Sequence, residues 1–309
     1  MNNYKFYVDE DSAGIRIDKY LSSLLKDNSR SFIQKLIKSG NATVNDKVVK
    51  ANYTVNEEDI VCITIPEPIS TNIEPQDIPI DILYEDEDLL IVNKPKGMVV
   101  HPAAGHYSDT LVNAVMFHCK DNLSGINGVL RPGIVHRIDK DTTGSLIICK
   151  NDFTHNSIAE QLKVHSITRT YVAICHGKFK ENSGTVNKPI KRHNTDRKKM
   201  TVAAFGEGKE AVTHYEVICD NDKYSYIKCN LETGRTHQIR VHMASINHPI
   251  LGDEIYSNIK SPYKLQGQTL HAKTIGFIHP RTNEYIEIDA PLPDYFKHLL
   301  EINFPDYKE

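Results

Sequence analysis

No stretch of this 309-residue chain approaches the roughly 18 consecutive apolar residues that a membrane-spanning helix needs, so a helical membrane protein is excluded. The start, Met1-Asn-Asn-Tyr-Lys5, lacks the basic and apolar regions of a secretory signal, and the expected compartment is the cytoplasm. Cys-x-x-Cys spacing is missing too. The six cysteines, at 62, 119, 149, 175, 219 and 229, are scattered, and most sit in strand-like apolar runs. They read as buried free thiols in a reducing environment, not as disulfides or a zinc site. The chain also lacks net positive charge: 37 Lys and Arg stand against 40 Asp and Glu, a formal charge of −3.

That balance argues against a polyanionic partner only if the charges are mixed, and they are not. Arg16 to Lys50 holds eight basic residues against Asp18, Asp27 and Asp46. Ala51 to Leu90 holds eleven acidic residues and no basic one. A second basic block, Lys188 to Lys199, carries Lys188, Lys191, Arg192, Arg197, Lys198 and Lys199 against Asp196. The basic blocks are suited to phosphate; the acidic one is not.

Two polar turns stand out. In Gly133-Ile-Val-His-Arg-Ile-Asp-Lys-Asp-Thr-Thr143 the carboxylate of Asp139 lies between Arg137 and Lys140, and Leu146-Ile-Ile-Cys149 follows as a buried strand that would hold the loop rigid. A carboxylate so placed is a candidate nucleophile. In Leu231-Glu-Thr-Gly-Arg-Thr-His-Gln-Ile-Arg-Val-His-Met243, Thr236 reads as the cap of a helix from His237 to Ser245. Arg235 just before it is placed to pair with Asp139, keep it ionised and face phosphate.

Ile134-Val-His-Arg-Ile-Asp139-Lys-Asp-Thr-Thr-Gly144 resembles the catalytic motif of the RluA family of RNA pseudouridine synthases. Gly234-Arg-Thr-His-Gln-Ile-Arg240-Val-His is similar to that family's second signature, and Ile167-Thr-Arg-Thr-Tyr171-Val-Ala-Ile-Cys-His-Gly177 to the strand bearing its active-site tyrosine. The likeness runs from about Leu83 to Asp294 and includes Asn93-Lys-Pro-Lys-Gly-Met98 and His248-Pro-Ile-Leu-Gly-Asp253. Ile138, Thr143 and Arg169 depart from the usual Leu, Ser and Lys without removing a reacting group. The resemblance implies an isomerase needing no cofactor and no metal. Asp139 would react, Tyr171 would stack on the base, Arg235 would support the carboxylate, and His136 and Arg137 would touch the substrate.

The first basic block has shape as well as charge. Ile17, Tyr20, Leu21 and Leu24 fall at helical spacing, and so do Phe32, Ile33, Leu36 and Ile37 after a cap at Ser29. Gly40 ends the second helix, and a hairpin turns at Asn45-Asp46. The pattern is similar to the small RNA-binding domain of ribosomal protein S-four. It implies that Arg16, Arg30, Lys35 and Lys38, with Arg192 from the later block, contact structured RNA through its phosphates. Pro66-Glu-Pro68 and the polar stretch up to Pro79 read as a linker. The expected division is therefore 1–70, a small α/β RNA-binding domain, and 71–309, a catalytic domain. For the latter, strands at Leu89, Leu146, Thr170, Val212, Ser225 and Tyr285 with helices at Leu111, Thr154 and His237 do not alternate regularly. An α+β fold on a mixed, largely antiparallel sheet with flanking helices is expected, the pseudouridine synthase fold.

Forming pseudouridine breaks the N1–C1′ bond of a uridine, turns the base and joins C5 to C1′. The target base must be flipped out or already unpaired. Three other readings compete with this one. A metal hydrolase is opposed by the five-residue spacing of His237 and His242, which does not put two ligands on one helix face. A glycosidase using Asp139 and Asp141 shares the C1′ chemistry. A non-catalytic RNA binder would not need Asp139, Tyr171 and Arg235 together. The layout looks like the RluD-type members that act on large-subunit ribosomal RNA, working as a monomer away from membranes.

Overall fold

The structure is a computed structural model that describes residues 2–25, 30–65, 73–102, 107–120, 122–126, 131–204 and 206–308. Ser29, His106 and the Pro66-Glu-Pro68 stretch lie outside the described residues. The chain forms two compact units, Met1–Ser70 and Thr71–Glu309.

In the first unit, β1 (Asn2–Tyr7), α1 (Ile17–Leu24), α2 (Arg30–Lys38), β2 (Ala42–Val44), β3 (Lys47–Val48) and β4 (Ile60–Ile65) follow in order. Their strands make an antiparallel sheet in the order β1-β4-β2-β3. Most of the apolar stripe read from the spacing is buried: Ile17, Tyr20 and Leu21 meet Ile33, Leu36 and Ile37 over Val44, Val61 and Ile63, whereas Leu24 and Phe32, expected on the same faces, are exposed. Each such side chain contributes about 1.5–3 kcal/mol on burial. Asn45 and Asp46 take the hairpin turn with φ of 49° and 64°, the left-handed pair that a two-residue turn demands, and Gly40 at φ +78° closes α2.

The second unit continues with β5 (Asp81–Glu85), β6 (Leu89–Lys94), α3 (Leu111–Cys119), β7 (Thr143–Cys149), α4 (Asp152–Lys163), β8 (Thr168–His176), β9 (Ser183–Asn187), β10 (Ile190–Arg192), β11 (Met200–Val202), β12 (Val212–Asp220), β13 (Tyr224–Leu231), α5 (Gln238–Ser245), β14 (Leu270–Ile278), β15 (Tyr285–Asp289) and α6 (Asp294–Asn303). Its main sheet runs β5-β6-β7-β14-β8-β13-β12-β9, with β15 on β14, and β10 and β11 form a separate hairpin. This is the expected α+β architecture. Among the named strands of the described residues the one parallel pairing is β7 with β14, where His271 and Ala272 lie beside Thr143 and Gly144. Two antiparallel halves therefore meet at this seam.

The seam fixes where the chemistry can sit. Across neighbouring strands Gly144, Ala272, Tyr171 and Cys229 stand in one row. Gly144 has φ +107°, and a Cβ there would collide with the Ala272 carbonyl. The strands close up because that position is glycine. All seven residues of β7 are buried, so the loop that enters it is anchored on a rigid element. The elements that the sequence reading did not anticipate, chiefly β14 and α6, complete this core. β14 was hidden because His271 and Lys273 interrupt its apolar run, and His271 is buried by bonding Thr143 Oγ1 at 2.7 Å and the Ala290 carbonyl at 3.2 Å.

Candidate active site

Asp139 lies in the turn just before β7. The turn closes through Thr142 N–H to the Asp139 carbonyl at 3.1 Å and is tied by Gln268 Nε2 to Thr142 Oγ1 at 3.0 Å. From the opposite side, the fully buried Lys94 at the end of β6 donates to the carbonyls of Pro95, Met98 and Lys140 at 2.8, 2.9 and 2.9 Å. Burial lowers its pKa to about 7 against the opposing pull of Asp141 and Asp139. Three carbonyls require the three protons of an ammonium, so the charged form suits this socket best. Lys94 is a pin for the loop. Nothing local in Asn93-Lys-Pro-Lys-Gly-Met98 marks Lys94 for this part.

The carboxylate faces a cleft lined by Arg137, Tyr171, Leu231, Arg235, His237 and Arg240 among others. One oxygen is taken: Arg240 Nη1 donates to Asp139 Oδ2 at 2.9 Å. The same guanidinium donates Nε and Nη2 to Asp253 Oδ2 and Oδ1 at 2.7 and 2.9 Å. Burial alone would lower the Arg240 pKa, but Asp253 and then Asp139 outweigh it and raise it. Asp253 is itself held by the N–H groups of Ile255 and Tyr256. The other oxygen, Oδ1, has His237 Nε2 at 3.7 Å, too far for a hydrogen bond.

The pairing expected between Arg235 and Asp139 is not made; Arg240 makes it. His237, not Thr236, is the N-cap residue and has a left-handed backbone at φ 58°, so α5 starts one residue later than expected. Helical side chains lean toward the N-terminus, and Arg240 therefore reaches back toward the loop. Arg235 precedes the turn. Its Nε donates to the Glu210 carbonyl at 2.9 Å and its backbone N–H to Gln238 Oε1 at 2.9 Å. The helical period of α5 does not single out Arg240, which is buried together with Ile239 and Met243. The signal that could have found it is the carboxylate thirteen residues on, Asp253.

The remaining expected residues separate. Tyr171, on β8, bridges two apolar clusters and borders the cleft. Burial pushes its hydroxyl up to about 12, with Arg169 pulling down and Asp139 pushing up, so it stays protonated and is unsuited to act as a base. Arg137 is exposed at the rim, with Nη1 3.3 Å from His101 Nε2. His136 accepts the Ile147 N–H on Nε2 at 3.1 Å and is held neutral, near 3, by burial and by Arg169. Its ring is committed to β7. Arg169 donates to the Glu232 carbonyl at 2.7 Å, and Gly234 leaves it room, since a Cβ there would strike Nη1. Asp141, the rival carboxylate, abuts Gly267 and does not line the cleft. His237 and His242 diverge: the first faces Asp139 and Tyr256, the second Thr213 and the Lys188 carbonyl. Asp86, Asp88 and His279 bring three ligand atoms within 4.8 Å of one another, but Tyr84, Asn151 and Arg281 already occupy the carboxylates.

Elsewhere, the buried Asp18 in the first unit gathers Arg16 Nη2 at 3.0 Å, Arg30 Nη2 at 2.9 Å and Gln34 Nε2 at 2.6 Å. Burial alone would raise its pKa, but Gln34, Arg16 and Arg30 draw it down to about 2. Lys35 and Lys38 project from the last turn of α2 and are exposed. Arg192, on β10, donates to the Arg197 carbonyl at 2.7 Å and borders a second cleft that also includes Arg235.

The sequence pattern of the RNA pseudouridylate synthase family matches residues 88–245, which contain Asp139, Tyr171 and Arg240. The chain belongs to that family. The S4 domain pattern matches residues 15–61 of the first unit. An uncharacterized RNA pseudouridine synthase of Bacillus subtilis is 49% identical over 97% of this chain and 98% of its own length. A ribosomal large subunit pseudouridine synthase D of Zymomonas mobilis is 46% identical over 95% of each chain. The solved structure of human RNA pseudouridylate synthase domain containing 4 superposes with a TM-score of 0.56 at 26% identity, covering 72% of this chain and 92% of that one. The synthase is thus an isomerase of uridine in RNA, and RNA is its partner. Among its described residues no helix is long and apolar enough to cross a membrane, and the six cysteines are free thiols.

Proposed function

We propose that this synthase isomerises uridines of large-subunit ribosomal RNA in the cytoplasm, with Asp139 as the nucleophile toward an extruded nucleoside. The observation that carries this reading is the half-occupied carboxylate: Arg240 holds Oδ2, and among the described residues none hydrogen-bonds Oδ1, in a cleft walled by arginine and by the Tyr171 ring. An acid of that kind is held in place by a guanidinium yet keeps lone pairs available on its other oxygen. Tyr171 supplies a stacking face for the flipped base, which its retained proton does not impair. The reaction is internal to the nucleoside, so it calls for no redox partner and no group donor. Arg137 and Arg235 flank the cleft, where they meet the phosphates beside the target. Arg16, Arg30, Lys35 and Lys38 on the first unit and Arg192 on β10 add contacts to structured RNA. The RNA class rests on the ribosomal relatives.

Incubation with a large-subunit ribosomal RNA transcript tritiated at uracil C5 tests the activity. Release of tritium with the RNA chain intact supports isomerisation, whereas free uracil would mean a glycosidase. Mapping pseudouridines in cellular RNA with and without the active gene then tests the target; sites lost only from transfer RNA would overturn the ribosomal assignment.

A further inference from the structure

We propose that His237 is a further catalytic residue, presenting its Nε2–H to Asp139 Oδ1, and that Tyr256 is the positioning residue that fixes this tautomer. The inference rests on Asp139 being the reacting group. His237 occupies the left-handed region at the start of α5 without using its side chain as a cap, so the strained backbone serves to aim the ring. Its Nδ1 lies 2.8 Å from Tyr256 Oη. That same oxygen accepts the Met200 N–H at 2.8 Å.

Proton counting then selects one arrangement. A phenol has one proton to give, and Met200 already fills an acceptor position on Tyr256, so its O–H donates to His237 Nδ1. Nε2 therefore carries the imidazole proton and faces Asp139 Oδ1 at 3.7 Å. The reverse tautomer would leave the phenol proton without an acceptor and aim a nitrogen lone pair at a carboxylate oxygen. Burial lowers the His237 pKa, with Asp139 opposing, which favours the neutral ring. The Tyr256 ring also stands 5.1 Å from the Arg240 guanidinium and packs edge-on to His237, so one side chain orients both partners of Asp139.

The separation of 3.7 Å suits a group that waits. With no hydrogen bond to Oδ1 from the described residues, the attacking oxygen keeps its lone pairs. When the bond between Oδ1 and the nucleoside carbon breaks, its electron pair returns to Oδ1. A small approach by His237 then supplies a hydrogen bond to the re-forming charge. The carbon is paired anew by C5 of the detached base, whose hydrogen leaves to solvent while N1 takes up a proton, and the imidazole keeps its own proton throughout.

The test uses tritium release from the same ribosomal RNA transcript, measuring kcat and KM for wild type, His237→Asn, Tyr256→Phe, the double variant and Asp139→Asn, with thermal unfolding as a folding control. Asparagine tolerates the left-handed backbone and can still reach Tyr256, but stops short of Oδ1. His237→Asn is expected to lower kcat about 100-fold with KM within about threefold, the size of losing one aimed donor. Tyr256→Phe is expected to lower kcat about tenfold with the same split. The double variant should be no worse than His237→Asn alone, because Tyr256 acts through His237. A His237→Asn enzyme within twofold of wild type, a loss confined to KM, or additive losses in the double variant would overturn the proposal. An inactive Asp139→Asn beside a fully active His237→Asn sinks this inference alone; an active Asp139→Asn sinks the nucleophile reading on which it rests.

Discussion

Asp18 and Asp139 are both held by arginine, and they are held differently. Asp18, in the first unit, is fully buried and surrounded by Arg16, Arg30 and Gln34. Asp139, in the second unit, is partly open to a cleft; Arg240 takes one oxygen and leaves the other. Saturating a carboxylate makes it structural, because every lone pair that would attack is already accepting a proton. Leaving one oxygen unsatisfied makes it available for reaction. Asp253 completes the contrast, since its two oxygens are both spent on making Arg240 rigid.

Replacing Asp139 by Asn should break the comparison most strongly. We expect turnover on the tritiated RNA to fall by about 10³-fold or more, with thermal stability unchanged and RNA affinity within about tenfold, since affinity comes from many phosphate contacts. Equal loss of binding in a gel-shift assay would show that Asp139 is structural after all. Arg240→Met comes next. It strands Asp253 as an uncompensated buried charge, and a cost of about 3–5 kcal/mol in denaturant unfolding is expected together with loss of turnover.

Asp18→Asn should cost about 2 kcal/mol, weaken RNA binding and leave kcat at saturating RNA unchanged. The pH dependence follows in sign. The Asp18 carboxyl titrates at about 2 in the fold against an ordinary 3.8, so its stabilisation is complete above about pH 4 and is lost as pH falls from about 4 to 2. An NMR titration of the Asp18 carboxyl with a midpoint near 4 would refute this. The smallest effect is expected from Arg235→Ala. With Asp139 already paired to Arg240, this change should leave kcat near wild type and reduce the salt dependence of RNA binding by about one unit of slope. A collapse of kcat would restore Arg235 to the carboxylate.

Much of the fold was legible in the sequence, and the reason is periodic burial. Ile17, Tyr20 and Leu21 lie on one face of α1 because a 3.6-residue period puts them there, and the Asn45-Asp46 hairpin follows from two residues that tolerate positive φ. The β7 run declared itself by being apolar throughout. β14 did not, because its polar His271 is satisfied by partners 128 and 19 residues away that no local window contains.

The same division holds for the site. Asp139 and Tyr171 stand out as candidates in their own segments, since motif and neighbouring strand travel together in the chain, and both line one cleft. Arg240 as the partner of Asp139, and the parts taken by Tyr256 and Lys94, are not legible locally, because each acts across a long separation: Arg240 is 101 residues from Asp139, Lys94 is 46 from Lys140, and Tyr256 is 56 from Met200. The sequence by itself determined which residues are reactive in kind and which faces are apolar, both of which are local properties. Only the tertiary structure decided which guanidinium reaches the carboxylate and which oxygen stays open. Those outcomes depend on the seam between β7 and β14 and on the angle at which α5 leaves its left-handed cap, where distant segments compete for the same few hydrogen-bond positions.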